Sequence, residues 1–147
     1  MELRQDSLGF LLADVFRLMR RAFQQRLEDG ALTPAQGRAL VYISRHEGIR
    51  QVDLAKLLEV QPITLARLVD QLAESGVVER RPDPADRRAY QVFLTPAAAS
   101  HLATIEQVSA TIRADALRGL DAQQAALLLS ALHTMRDNLR QEVCHDR

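Results

Sequence analysis

The residues in this chain best suited to chemistry are arginines grouped at one point. The segment Pro82 to Ala89 reads PDPADRRA and ends its polar run in Arg87 and Arg88. Two β-type runs flank it, Val77–Arg81 and Tyr90–Leu94. A hairpin that has only to reverse the chain uses about two to five residues. This one is longer and carries cations at its tip. A guanidinium there can meet phosphate oxygens or enter a narrow minor groove, where the negative potential is enhanced. Arg88 is the candidate for the groove contact and Arg87 for a backbone phosphate. Asp86 reads as a brace that orients an arginine of the hairpin tip by a charge-assisted hydrogen bond. A turn-forming role in the run Pro84 to Arg87 is the alternative for Asp86, and both could hold.

Pro62 to Gly76, just before the hairpin, has helical spacing, with Ile63, Leu65, Leu68, Val69 and Leu72 as its apolar positions. Gln61, Thr64 and Arg67 lie on the outer side of its first two turns. Arginine can read guanine, glutamine adenine, and threonine a thymine methyl or a phosphate. A helix N-terminus itself favours a phosphate. Asp70 and Glu74 would repel DNA, which confines contact to the start of the helix. Gln51 and Lys56 are weaker phosphate candidates. Arg80 and Arg81 fit either phosphate contact or a strand's solvent face. A helix followed by an arginine-tipped hairpin suggests a winged helix-turn-helix that grips DNA in both grooves. A plain solvated face is the alternative for each of these side chains.

The remaining elements must position that unit. Ser7 to Glu28 is expected to be a long helix closed by Gly30. Thr33-Pro34 is a cap followed by proline at the first helical position and opens a second helix to about His46. Gly48 breaks it. Gln51 to Glu59 is a short third helix, and its turn into the fourth lacks the glycine often found there. Thr95-Pro96 repeats the cap-plus-proline start for a fifth helix to about Arg118. Asp121 to Gln124 resembles a capping box before a sixth helix to about Val143. The expected class is mainly α with a small β-hairpin wing (α+β). Residues 31–96 would form the winged unit, and 1–30 and 97–147 would be dimerisation helices. Their apolar stripes are wider than one small domain can cover, and a symmetric dimer buries them economically. Such a dimer sets two winged units on one axis, as a palindromic DNA site requires.

The 147 residues suit one domain with appended helices. Basic and acidic residues balance at 19 each, which weighs against a protein held on DNA by bulk charge, so any DNA binding must rely on where the cations sit. That balance also leaves open a winged-helix module that binds protein without specific DNA binding. No apolar run is long enough to span a bilayer, and the first residues read as a helix start, not a signal peptide. The single cysteine excludes an internal disulfide. A soluble cytoplasmic protein is expected.

Chemistry of other kinds finds little support. Cys144 and His145 are neighbours, but adjacent helical positions do not face each other. His46, His101, His133 and His145 lack metal-ligand spacing. No glycine-rich phosphate loop or paired carboxylates are evident. No catalytic residue, metal or cofactor is assigned, and an enzyme is not expected. A small-molecule site would lie where the terminal helices meet the winged unit. Leu12, Phe16, Arg17, Met19, Arg20, Ile43 and His46 are its candidate liners. An arginine there could bind a carboxylate.

The order of elements, the run QVDLAKLLEVQPITLARLVDQLAESGVVERR and above all DPADRRAYQVFLTPAA resemble the MarR family of transcriptional regulators, most closely its SlyA-like branch. The family's D-x-R wing element falls on Asp86 and Arg88, followed by Leu94-Thr95. The resemblance is strongest from Gln51 to Ala98. It implies a homodimer whose fourth helix enters the major groove and whose wing arginine enters the minor groove. It also implies control of a promoter by occupancy, often relieved by a small aromatic or anionic ligand. The family's peroxide-sensing branch uses a cysteine in the first helix, and this chain has none there.

Overall fold

Thr33 shows how local sequence sets the first well-formed boundary. Its hydroxyl accepts from the Gln36 backbone N–H at 3.2 Å, and the Gln36 side chain accepts from the Thr33 N–H at 3.0 Å. This reciprocal box, with Pro34 behind it, starts α2 (Pro34–Arg45). The computed structural model describes residues 7–27 and 32–145. Within them, α1 (Leu8–Leu27) precedes α2. Then come β1 (Ile49–Arg50), α3 (Gln51–Leu58), α4 (Pro62–Glu74), β2 (Val78–Pro82), β3 (Tyr90–Leu94), α5 (Ala98–Ala116) and α6 (Ala122–His145). The expected ends of α1 at Glu28 and Gly30 lie outside the described residues. The mainly α architecture with a β wing is as expected.

The sheet is antiparallel with order β1-β3-β2. Ile49 pairs with Val92, and Arg80 also faces Val92 from the other side. The sequence reading had no β1, because two residues carry no periodic signal. Gly48 makes that strand possible. It has φ +84, its N–H donates to the Val92 carbonyl at 3.0 Å, and a Cβ there would meet the Phe93 ring at 3.2 Å. A side chain would be disfavoured by both backbone and space.

The missing glycine between α3 and α4 is explained by Glu59, the only non-glycine with positive φ among the described residues, at 53°. It takes the left-handed conformation that ends α3. Thr95 departs from the expected cap. Its N–H continues the sheet by donating to the Val77 carbonyl at 3.0 Å, and its hydroxyl donates to the Gly76 carbonyl. Pro96 and Ala97 form a turn, and α5 starts at Ala98. The α6 box does form: Gln124 N–H donates to Asp121 at 2.8 Å and Asp121 N–H to Gln124 at 3.0 Å.

Leu40 and Ile43 of α2, Leu54 of α3, Leu65, Val69 and Leu72 of α4, and Val92 of β3 are fully buried together. Ala98 and Ile105 of α5 join the same cluster, and Phe23 of α1 packs against it. The core therefore extends beyond residue 96, and the chain divides into two compact units after Ile112. Along α1, Leu8, Phe10, Leu11, Leu12, Val15, Phe16, Leu18 and Met19 are exposed in the single chain. Within α6, Leu127, Leu128, Leu129 and Leu139 are exposed as well. No described helix is long and apolar enough to cross a membrane.

Candidate nucleic-acid interface

The wing is built on a buried carboxylate, Asp83, only 5% exposed. Its Oδ1 accepts the Ala85 N–H at 2.8 Å, and its Oδ2 sits 2.5 Å from Arg50 Nε. Backbone donation from Ala85 holds its carboxyl below the usual value, Arg50 adds to this, and burial opposes it. The Asp83 backbone closes the loop, donating to the Ala89 carbonyl at 3.0 Å and accepting from Asp86 N–H at 3.3 Å. Arg50 of β1 thus ties the hairpin loop to the start of α3. The sequence reading missed this pair, because burial of an aspartate between two prolines has no local signature.

Of the two roles weighed for Asp86, the turn is the one its contacts show. Its carboxylate accepts from the Arg88 backbone N–H at 3.0 Å. That is an Asx turn, which shapes the loop and leaves the guanidinium free. Arg87 and Arg88 are exposed, and neither side chain has a partner among the described residues. Arg88, Asp86, Ala89 and Tyr90 face Arg50, Gln51 and Val52 across a cleft of about 260 Å³. The wing tip and the first turn of α3 are therefore brought together.

Arg80 and Arg81, left open between phosphate contact and solvation, have internal partners. Arg80, with its side chain 25% exposed, donates to Gln51 Oε1 at 2.9 Å and to the Ala66 carbonyl at 3.2 Å, and it pairs with Asp70 at 2.6 Å. Strand β2 is thereby fastened to α3 and α4. Gln51 is occupied by this network, and Asp70 is neutralised by it. Arg81 pairs with Glu79 and lies over the Phe93 ring, 4.0 Å from its centroid. Lys56 lies 4.0 Å from Asp53.

On α4, Gln61 is the N-cap residue without a side-chain cap bond, and Pro62 follows it. Gln61, Thr64 and Arg67 are all exposed. Arg67 has no partner among the described residues. Ile63 was expected in the apolar stripe, but it is 69% exposed. Leu65, Val69 and Leu72 define the buried side. At about 100° per residue, Ile63 falls opposite them.

A second cavity, about 630 Å³, lies among α1, α2 and α5 within the first compact unit. Phe16, Met19, Arg20 and Phe23 line one side, and Arg38, Val41, Tyr42 and Ile105 line others. Of the expected liners, Phe16, Met19 and Arg20 are present and four are not. Arg17 turns to Asp14 at 2.7 Å, and His46 caps the end of α2. Ile43 is consumed by the core, and Leu12 lies on the exposed face of α1. Arg38, 5.8 Å from the Tyr42 ring centroid, supplies the second arginine that was overlooked. Among the described residues no group of His, Cys, Asp or Glu could hold a metal. The side chains of Cys144 and His145 fall outside the described residues.

This arrangement, a helix pair with a β wing fastened to it, is a winged helix-turn-helix. The model of the MarR family matches residues 32–90. The whole chain is similar to a crystal structure of MarR, at 27% identity over 99% of each chain with a TM-score of 0.88. It is likewise similar to apo wild-type MarR from E. coli, at 30% identity over 88% of this chain and 96% of that one, TM-score 0.79. A MarR mutant from E. coli complexed with operator DNA matches at 29% identity over 92% of this chain and 99% of that one, TM-score 0.74. The chain belongs to the MarR family. That assignment holds for the family as a whole and does not extend to the SlyA-like branch.

Proposed function

We propose that this chain is a homodimeric, sequence-specific DNA-binding transcriptional regulator, acting as a repressor at palindromic promoter sites. The observation that carries this reading is the division of labour among arginines. Arg50, Arg80 and Arg81 are spent inside the winged unit, while Arg67, Arg87 and Arg88 are exposed and have no partner among the described residues. An arginine without a partner has its five donors available for a guanine edge or phosphate oxygens. On this reading α4 enters the major groove with Gln61, Thr64 and Arg67. Arg88 enters the minor groove and Arg87 meets phosphate. The similar E. coli protein complexed with operator DNA supports it.

The exposed leucines of α1 and α6 are suited to burial against a second copy, and a two-fold axis would then pair the wings. The cavity beneath α1 would accept a small aromatic or anionic effector, with Arg20 or Arg38 to meet its charge. The protein would work in the cytoplasm, without catalysis of its own.

The test is a fluorescence anisotropy titration, at stated salt, against the DNA just upstream of the protein's own gene. Tight, salt-dependent binding that survives nonspecific competitor is expected. Binding no tighter than to random duplex, there and in a genome-wide pull-down, would favour a winged module that meets protein.

A further inference from the structure

Ile63 packs on no part of the core among the described residues. It is the most exposed large hydrophobic among the described residues, at 69%. A β-branched residue in the first turn of a helix is a poor choice on propensity alone. It makes no part of the buried stripe of α4, which runs through Leu65, Val69 and Leu72 on the opposite side. Its neighbours along the outer row are Arg67, one turn on, and Asp70, a second turn on. Arg67 has no partner among the described residues, and Asp70 is held by Arg80. The outer row of α4 therefore presents an apolar side chain, then an exposed guanidinium, then a neutralised acid.

Major-groove base edges offer one large apolar feature, the 5-methyl group of thymine. We propose that Ile63 is a specificity-determining residue that packs on a thymine methyl, beside a base read by Arg67. This rests on the DNA-binding reading above and deepens it. Burial of Ile63 against the methyl would remove the most exposed apolar side chain of the unit from water. A cytosine at that position would offer no methyl, so the contact discriminates between the two pyrimidines. Thr64 lies to one flank of this row and serves the adjacent backbone or base.

The experiment selects duplexes from a randomised pool with the full-length protein. The enriched duplex is then resynthesised with each thymine in turn replaced by deoxyuridine, which deletes only the methyl. Affinities are read by anisotropy at one salt concentration for the parent, Ile63→Ala and Ile63→Val, with thermal melts to show that all three fold. The expected result is one thymine in each half-site whose methyl deletion weakens the parent about three- to fivefold. Ile63→Ala should lose that sensitivity while keeping the parent's salt dependence, and Ile63→Val should keep part of it. Uniform tolerance of deoxyuridine, or a sensitivity unchanged in Ile63→Ala, would overturn the assignment while leaving DNA binding intact. Failure of the parent to enrich any sequence would overturn the DNA reading itself, and the assignment with it.

Discussion

Arg80 Nη2 lies 2.6 Å from Asp70 Oδ1, so a strand of the wing is clamped to the second and third turns of α4. The same guanidinium holds Gln51 at the start of α3 and the Ala66 carbonyl. One side chain therefore sets the wing's angle against both helices. Arg80→Met should leave the fold intact and cost about 1–3 kcal/mol of stability, since three bonds of a charged group are lost from a partly exposed site. Denaturant unfolding measures that loss. On the DNA-binding reading, operator affinity should fall by more than the stability change alone explains, because Asp70 would then be an unpaired anion on the helix that meets the duplex.

Arg88→Ala should weaken specific binding by about 1–3 kcal/mol and lower the salt slope by about one unit. Anisotropy titrations at several salt concentrations measure both. Equal operator affinity in variant and parent would sink the wing assignment. Asp86→Asn keeps an acceptor for the Arg88 N–H and is expected to bind nearly as well, because the carboxylate shapes the turn without holding the guanidinium.

Asp83 makes stability depend on acid. Its folded pKa lies below the ordinary 3.8, so its contribution is fully present above that value and is lost as pH falls through the lowered one. Asp83→Asn should be less stable than the parent at neutral pH, and the two should converge in strong acid. Thermal melts across pH 2–7, a range of about five units chosen to bracket the carboxylate range, follow this. Parallel curves for parent and variant would show that Asp83 carries no such linkage.

Glu59 sits in a left-handed conformation that costs a side-chain-bearing residue roughly 1 kcal/mol. Glu59→Gly should relieve it, although the freer unfolded chain offsets part of the gain. A small rise in melting temperature is expected. A fall would mean that the Glu59 side chain contributes in the folded state.

Deleting residues 122–147 should abolish dimerisation, measured by analytical ultracentrifugation. The deletion removes the exposed leucines of α6 that a second copy would bury. A folded dimer lacking this helix would refute the role given to it.

Much of the fold was legible in the sequence because the signals are local. Thr33-Pro34 and Asp121–Gln124 announce helix starts through hydrogen bonds that span three residues. The two wing strands declare themselves as short β-type runs on either side of a polar turn, and the cationic tip by composition. The Asp86 and Arg88 pair with its flanking run was enough to reach the family. What the sequence could not decide is which charged groups face each other. Arg50 and Asp83 are 33 positions apart, and Arg80 meets Gln51 across 29. Arg50, Arg80 and Arg81 thus find partners inside the unit, while Arg67, Arg87 and Arg88 have none among the described residues. Ile63 and Ile43 look alike as letters in an apolar stripe, yet one is buried and the other faces outward. Helical periodicity fixes the angle between residues on one helix. Which of its sides becomes the core is decided only when other helices and the sheet pack against it.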